Sequence, residues 1–299
     1  MRVLVTGSTG YLGRRVVERL LDGGCQIVAV GRNRSPAPFS RQVEYHVADL
    51  TVEHALAPIV QRPETFTAVI HLAGPAPKID SGWGPEGGDL VATHVRLALG
   101  VRAAFAGWNG RVIHASGMPV YGFPERLPID ESAPRRPWHM YGLAKVLSED
   151  VMLTWAGTDR WVLRLPGLFS GDRRSGGLFH FMRAAAAGEA VRVTADRPMA
   201  WDALSVDDAA EAIWRALESG ARDPGPVNVS YGEVVDVMST ARWIASHAGR
   251  GSAVENMHRI EHPPFQMNIE RAKQLLGWPP ATLHQRLAEL FRSYGFERP

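Results

Sequence analysis

Thr6-Gly7-Ser8-Thr9-Gly10-Tyr11-Leu12-Gly13 follows directly on the apolar run Arg2 to Val5 and opens an amphipathic stretch that ends at Gly23-Gly24. A strand, a glycine-rich turn and a helix in that order make a recognisable unit. The glycines permit the tight turn, let backbone approach a pyrophosphate, and let helix and strand pack closely, with the phosphate at the positive helix end. Three glycines in a strand-helix turn can be purely structural; placed between a strand and a helix at the head of a βαβ pattern, they point to a dinucleotide. Gly7, Thr9, Gly10, Tyr11, Leu12 and Gly13 are therefore candidate cofactor-binding residues.

Outward from that turn, short β-branched runs alternate with longer amphipathic stretches. Further strands are expected at Gln26 to Val30, Glu44 to Val47, Ala68 to His71, Arg111 to His114 and Trp161 to Arg164. Helices are expected from Asp89 to Ala106 and from Tyr141 to Trp155. Such spacing predicts an α/β fold, a Rossmann-type doubly wound parallel sheet. After Pro166 the rhythm changes: a Gly-rich loop leads into Leu178 to Ala187, a short apolar strand and a turn at Arg197-Pro198. Ser205-Val206-Asp207-Asp208 reads as the N-terminal signal of a helix over Ala209 to Glu218, and Val227 to Val229 as one more strand. The expected division is a dinucleotide-binding domain over 1–165, to which 202–230 returns, and a smaller mixed substrate lobe from 166–201 and 231–299.

The second strand ends Val28-Ala29-Val30-Gly31-Arg32-Asn33-Arg34, and no carboxylate follows until Glu44. An acid at that point would favour NAD by bonding the ribose hydroxyls, whereas Arg32 and Arg34 suit a 2′-phosphate. NADP is thus the expected cofactor, with NAD as the alternative; the same arginines could also be a solvated basic loop. Asp49-Leu50 after the third strand and His71-Leu72-Ala73-Gly74 at the end of the fourth lie where strand C-termini meet a ligand. Of these, Asp49, Leu50, Leu72, Ala73 and Gly74 complete the candidate cofactor set.

Tyr141-Gly142-Leu143-Ala144-Lys145 places a phenol and an ammonium one helical turn apart. A nearby cation favours phenolate, and the expectation is a phenol pKa lowered toward the working pH, so that Tyr141 serves as acid or base. With six tyrosines and three lysines in 299 residues, such a pair beside a dinucleotide motif is informative.

Composition narrows the classes. The formal charge of +2 is small and its basic residues are dispersed, which argues against a nucleic-acid partner. No run approaches the length of a membrane span, and Met1 runs straight into a strand without a basic leader. The lone Cys25 has no partner in the chain, which fits a reducing cytoplasm. No His, Cys or carboxylate spacing resembles a metal site.

Together, Thr6 to Gly13, Asp49-Leu50, His71 to Gly74, Val120-Tyr121-Gly122, Pro128-Ile129-Asp130-Glu131, Tyr141 to Lys145, Val206-Asp207-Asp208, Asn228-Val229 and Leu276-Gly277-Trp278-Pro279 resemble the extended short-chain dehydrogenase/reductase family, in its nucleotide-sugar epimerase and dehydratase branch. The resemblance implies hydride exchange between nicotinamide and a carbinol carbon, with Tyr141 moving the proton and Lys145 holding the nicotinamide ribose. It implies a small-molecule substrate, a nucleotide sugar among the options, and a homodimer. Three positions depart from the family pattern. The hydroxyl that the family carries four residues before the tyrosine of Val-Tyr-Gly is Gly117 here, so Ser116, one residue away, is the candidate substitute, provided the backbone bends at Gly117. Gly167 stands for a usual Asn and Trp201 for a usual Arg, which weakens a grip on a diphosphate; Arg173, Arg174, Arg183, Arg192 and Arg197 are candidate replacements. His139 reads as a polar residue of the loop that enters the Tyr-Lys helix.

The functions expected, in order, are an NADP(H)-dependent ketoreductase acting on a modified sugar or similar carbonyl compound, an epimerase or dehydratase that keeps NAD bound, and a catalytically weakened dinucleotide-binding regulator.

Overall fold

The computed structural model describes all residues except 34–41, 77–86, 174–175, 195–200, 234–235, 258–263 and 294–299. Arg34, Arg174 and the Arg197-Pro198 turn lie outside the described residues.

Its elements run β1 (Arg2–Thr6), α1 (Tyr11–Asp22), β2 (Gln26–Gly31), β3 (Val43–Val47), β4 (Ala68–His71), α2 (Gly87–Ala104), β5 (Arg111–Gly117), α3 (Met140–Leu153), β6 (Asp159–Leu165), β7 (Gly167–Phe169), α4 (Gly177–Ala187), β8 (Val191–Val193), β9 (Ala203–Ser205), α5 (Val206–Glu218), β10 (Gly225–Asn228), α6 (Val237–Ala248), β11 (Val254–Asn256), α7 (Glu270–Leu276) and α8 (Leu283–Ser293). Seven of the strands form one sheet in the order β3-β2-β1-β4-β5-β6-β10, every neighbouring pair parallel. The expected parallel α/β sheet is therefore present; the strands foreseen through Arg164 and the one at Val227 to Val229 fall in it, whereas the short apolar strand expected after Ala187 lies outside it.

Strand alternation divides the core into two layers. Val3, Val5, Ile27, Ile70, Ile113 and Leu163 face α1 and α5, which pack on each other. Leu4, Val28, Val69 and Val112 face the opposite side, where Leu97 and Val101 of α2, Phe105 just past its end and Met152 of α3 cover them. Residues that point alternately to two buried faces explain why these strands read as unbroken apolar runs.

Beyond β6 the chain builds two small parallel pairs, β7 with β9 and β8 with β11. Ser205 caps α5 by accepting from the Asp207 amide at 3.3 Å, as its sequence suggests. Asp208 then accepts from the Tyr231 hydroxyl at 2.7 Å and from Arg286 of α8 at 2.7 and 2.6 Å, tying the C-terminal helix to α5. The order reversal between β1 and β4 leaves a crevice at the carboxyl ends of the strands, the usual ligand position in an open α/β sheet.

Candidate active site

The glycine turn lies in that crevice. Gly7 has φ +72°, and a Cβ there would meet the Ala73 amide nitrogen at 2.7 Å. Only glycine allows the turn to approach the segment after β4 so closely. A Cβ on Gly13 would lie 2.1 Å from the Gly7 carbonyl oxygen, so the first turn of α1 rests directly on the loop. Gly10 is the N-cap of α1, and no side chain caps the helix. The opening amides of α1 are thus directed at the crevice, a chemistry that fits a pyrophosphate. Thr6 at the end of β1 bonds His71 Nδ1 at the end of β4 through Oγ1 at 2.8 Å, and the Leu72 amide donates to the Thr6 carbonyl at 3.2 Å. Leu72 and Ala73 therefore border the loop as the sequence suggests, with Gly74 following them, exposed.

Thr9 approaches β2 at Gly31, whose added Cβ would lie 3.1 Å from Thr9 Oγ1. Tyr11 donates to Ser170 Oγ, next after β7, at 2.7 Å. Leu12 is half-buried against the core. Arg32, next after β2, is exposed. Asp49 accepts from the Thr51 amide at 2.9 Å and hydroxyl at 2.7 Å, which holds its carboxyl below the ordinary range, with Arg32 adding to the effect. Leu50 is buried in the α2 layer.

Tyr141 and Lys145 both project from the start of α3. Its N-cap is His139, whose Nδ1 accepts from the Gly142 amide at 2.8 Å. His139 is thus the cap of the Tyr-Lys helix rather than a loop residue without a set partner. The acceptor role requires an unprotonated Nδ1. Lys145 is buried and donates through Nζ to the Ala115 carbonyl at 3.0 Å, while Nζ sits 5.7 Å from the centre of the Tyr141 ring. Burial pushes the lysine down to about 8, against a weaker upward pull from Glu149. That pull is weak because Glu149 is already engaged by Arg164, at 3.0 and 2.8 Å.

The expected lowering of the Tyr141 phenol is not found. Burial pushes it up to about 12. The physical reason is that the ammonium faces the ring and bonds a backbone carbonyl, so no charge-assisted hydrogen bond to the phenol oxygen offsets desolvation. In this arrangement Tyr141 is a proton donor at neutral pH.

The backbone bend at Gly117 on which Ser116 would depend to replace the missing hydroxyl is also absent. Gly117 is extended, φ −157° and ψ 163°, and continues β5 in register with Leu165. Ser116 consequently stays on the α3 side of the sheet, the side of His114, and its Oγ is buried without a hydrogen-bond partner.

Three histidines gather around Lys145, and nothing in the spacing of the sequence foretold it. His71 and His114 are register partners on β4 and β5, with rings stacked at 5.2 Å. Ser148 donates to the Lys145 carbonyl at 3.0 Å and so can only accept from His114 Nε2, 3.2 Å away, leaving His114 Nδ1 buried and unpartnered. His94 arrives from α2, packing edge-on against the Tyr141 ring with centroids 5.8 Å apart. Burial first and the Lys145 charge second push His71 down to about 3 and His94 to about 4; burial, then His71 and Lys145, put His114 well below its ordinary value. All three are neutral imidazoles. A strand-end histidine is visible in a sequence, but a contact between α2 and α3 is not.

Several resembling motifs are structural. Tyr121 of Val-Tyr-Gly donates to Asn228 Oδ1 at 2.6 Å and accepts from Arg164 at 2.8 Å. Glu131 accepts from the Asn228 amide at 2.7 Å, and Trp278 donates to the Ser230 carbonyl at 2.5 Å. Gly167 is exposed and Trp201 half-buried. Arg173 donates to the Leu168 carbonyl and lies over the Tyr11 ring, Arg183 is exposed, and Arg192 is exposed with Glu255 at 3.3 Å. Among the described residues no helix is long and apolar enough to cross a membrane.

Comparison with known proteins agrees with this geometry. The model of the NAD dependent epimerase/dehydratase family matches residues 3–230. A UDP-glucose 4-epimerase of Azospirillum brasilense is 29% identical over 98% of this chain and 90% of its own length. Another, of Mycolicibacterium smegmatis, is 28% identical over 94% of each chain. Among solved structures, a UDP-glucuronic acid 4-epimerase of Bacillus cereus, in complex with UDP-glucuronic acid and NAD, superposes with a TM-score of 0.84 at 19% identity, covering 99% of this chain and 100% of that one. A UDP-glucose 4-epimerase of Thermotoga maritima, with UDP-glucose, gives 0.83 at 23% identity over 98% and 99%. At such identities these two bear on the fold alone.

Proposed function

The chain belongs to the NAD-dependent epimerase/dehydratase family of enzymes, and we propose that it inverts one carbinol centre of a nucleotide-linked sugar while retaining NAD. The observation that carries this reading is Tyr141, one turn from Lys145 on α3 and at the carboxyl ends of the strands that also bear the glycine cradle. The similarity to UDP-glucose 4-epimerases over nearly the full chain supports the substrate class.

Bound NAD would supply the acceptor and donor of hydride. The chain's own residues do the rest. The opening amides of α1 hold the pyrophosphate, with Gly7, Gly10 and Gly13 leaving room for it. Leu72, Ala73 and Gly74 form the neighbouring wall. Tyr141 would take the proton of the sugar hydroxyl at its phenol oxygen as phenolate when hydride leaves the carbinol carbon and give it back when hydride returns, the cationic nicotinamide of bound NAD and Lys145 together favouring that phenolate over the phenol of the dinucleotide-free chain, and Lys145 orients the group beside it. With extended backbone and no side chain at Gly117, proton transfer rests on Tyr141 rather than on a serine-tyrosine couple.

One observation favours a second reading. Arg32 stands exposed after β2, where a carboxylate would select NAD, so an NADP(H)-dependent ketoreductase is the competing function. The dinucleotide released from the purified, denatured protein separates the two. Stoichiometric NAD supports the epimerase. NADP, or an empty protein that consumes added NADPH with a keto sugar, replaces it with the reductase.

A further inference from the structure

His94 reaches the Tyr-Lys pair from a different helix and has no part in the scheme above. Its side chain is 2% exposed. Nε2 lies 3.1 Å from the Pro75 carbonyl oxygen, which can only accept, so this nitrogen carries the proton and the ring is a neutral imidazole with its lone pair on Nδ1. The ring lies over Gly74 so closely that a Cβ there would stand 2.2 Å from His94 Cε1. Its other contact is the Tyr141 ring, edge to face at 68°. His94 therefore touches both the wall segment after β4 and the phenol-bearing residue, and its hydrogen bond to Pro75 fixes the side chain that Tyr141 packs on.

We infer that His94 is a positioning residue for Tyr141: its Nε2–H bond to Pro75 fixes the side chain between Gly74 and the Tyr141 ring, and the side chain so fixed sets the orientation of the phenol relative to the Leu72–Gly74 wall. A neutral imidazole suits this role, because a second cation beside Lys145 would compete for the groups the lysine holds. This rests on the proposed role of Tyr141, so its test includes a readout that needs no substrate.

Two substitutions separate the parts of the claim. His94→Phe keeps an aromatic ring but has no donor for Pro75. His94→Gln loses the ring and keeps a nitrogen donor close to the place of Nε2. The substrate-free readout is the phenolate absorbance change near 295 nm in each background, taken as the difference from the same protein carrying Tyr141→Phe, so that only Tyr141 is seen. In the unsubstituted protein Tyr141 should stay protonated through pH 11. In His94→Phe it should titrate earlier, toward the ordinary value of about 10, as the freed ring reaches water. In His94→Gln it should stay close to the unsubstituted protein. On UDP-glucose, kcat should fall roughly tenfold or more in His94→Phe, since small misplacements of a reacting group are costly, with KM and dinucleotide affinity unchanged and most of the rate recovered in His94→Gln. Identical titration of Tyr141 in all three proteins would overturn the inference whether or not UDP-glucose is a substrate. So would equal loss in both variants, which would mean that the bond to Pro75 is not what holds Tyr141, or a loss confined to dinucleotide affinity. Should His94→Phe fail to fold, the His94→Gln titration decides alone: an early-titrating Tyr141 there refutes the hydrogen bond as the lock.

Discussion

Lys145 offers a test in which structure fixes both sign and size. Replacing it by Met keeps the length of the stem and removes the ammonium from a site that is 8% exposed. In the folded chain the group sits at about 8, against 10.5 for a free lysine. At roughly 1.4 kcal/mol per pKa unit the protonated form costs the fold about 3 kcal/mol. The substitution also removes the Nζ bond to the Ala115 carbonyl, worth about 1 kcal/mol at any pH. For a base depressed on folding, the unfolded chain binds more protons between the two values, so stability rises with pH across that window and is lost as pH falls through the folded value. Lys145→Met should therefore be about 2 kcal/mol more stable than the unsubstituted protein at pH 7. The gap should close above pH 8 and reverse near pH 10.5. Urea unfolding of dinucleotide-free protein at four or five pH values from 7 to 10.5 measures it, and the difference between the two proteins cancels all other titrating groups that do not contact Lys145. A gap constant to within about 0.5 kcal/mol across the range would show that Lys145 is not desolvated as its surroundings require.

Ser116→Ala should raise stability by about 1 kcal/mol, because its buried hydroxyl lacks a partner, and should leave kcat within a factor of about two in a steady-state assay; a loss near 10²-fold would put that hydroxyl on the substrate after all. Gly117→Ser meets no forbidden backbone, only tight contacts of 3.2 Å to Pro119 Cδ and 3.3 Å to the Leu165 carbonyl; it should fold at a cost near 1 kcal/mol and raise kcat by restoring a second hydroxyl, with an unchanged kcat arguing against that position facing substrate. Gly13→Ala forces a Cβ to within 2.1 Å of the Gly7 carbonyl oxygen and should abolish dinucleotide binding in a fluorescence titration, whereas retained affinity would deny the cradle its role. Arg32→Asp should shift affinity from phosphorylated toward unphosphorylated dinucleotide, and no shift would leave Arg32 a solvated residue.

The sheet was legible because a parallel strand buried on both faces must be apolar along its length, and Val3-Leu4-Val5, Val28-Ala29-Val30 and Val112-Ile113 satisfy that locally. The glycine turn was legible for a similar reason, since Gly13 answers to the Gly7 carbonyl six residues back and Gly7 to its own positive φ, although the close approach of Gly7 to Ala73 is a long-range contact. The electrostatics of the pair were not. Spacing alone put Lys145 near Tyr141, but the direction of the phenol's pKa depends on where the ammonium points, and the Ala115 carbonyl that captures it lies thirty residues away on β5. Histidines 71, 94 and 114 likewise come from β4, α2 and β5, and only the packing of α2 on α3 brings the second of them to Tyr141. The motif Val-Tyr-Gly carries part of the family resemblance in the sequence, and in the fold its Tyr121 serves the buried network of Arg164 and Asn228.

Proton NMR of UDP-glucose incubated with the purified protein, without added cofactor, tests the central claim most directly. The account predicts that anomeric signals of the 4-epimer grow to an equilibrium with no net change in dinucleotide absorbance, and that Tyr141→Phe slows their growth by about 10²-fold or more. An unchanged UDP-glucose spectrum, alongside net NADPH consumption when a keto sugar is offered, would contradict it.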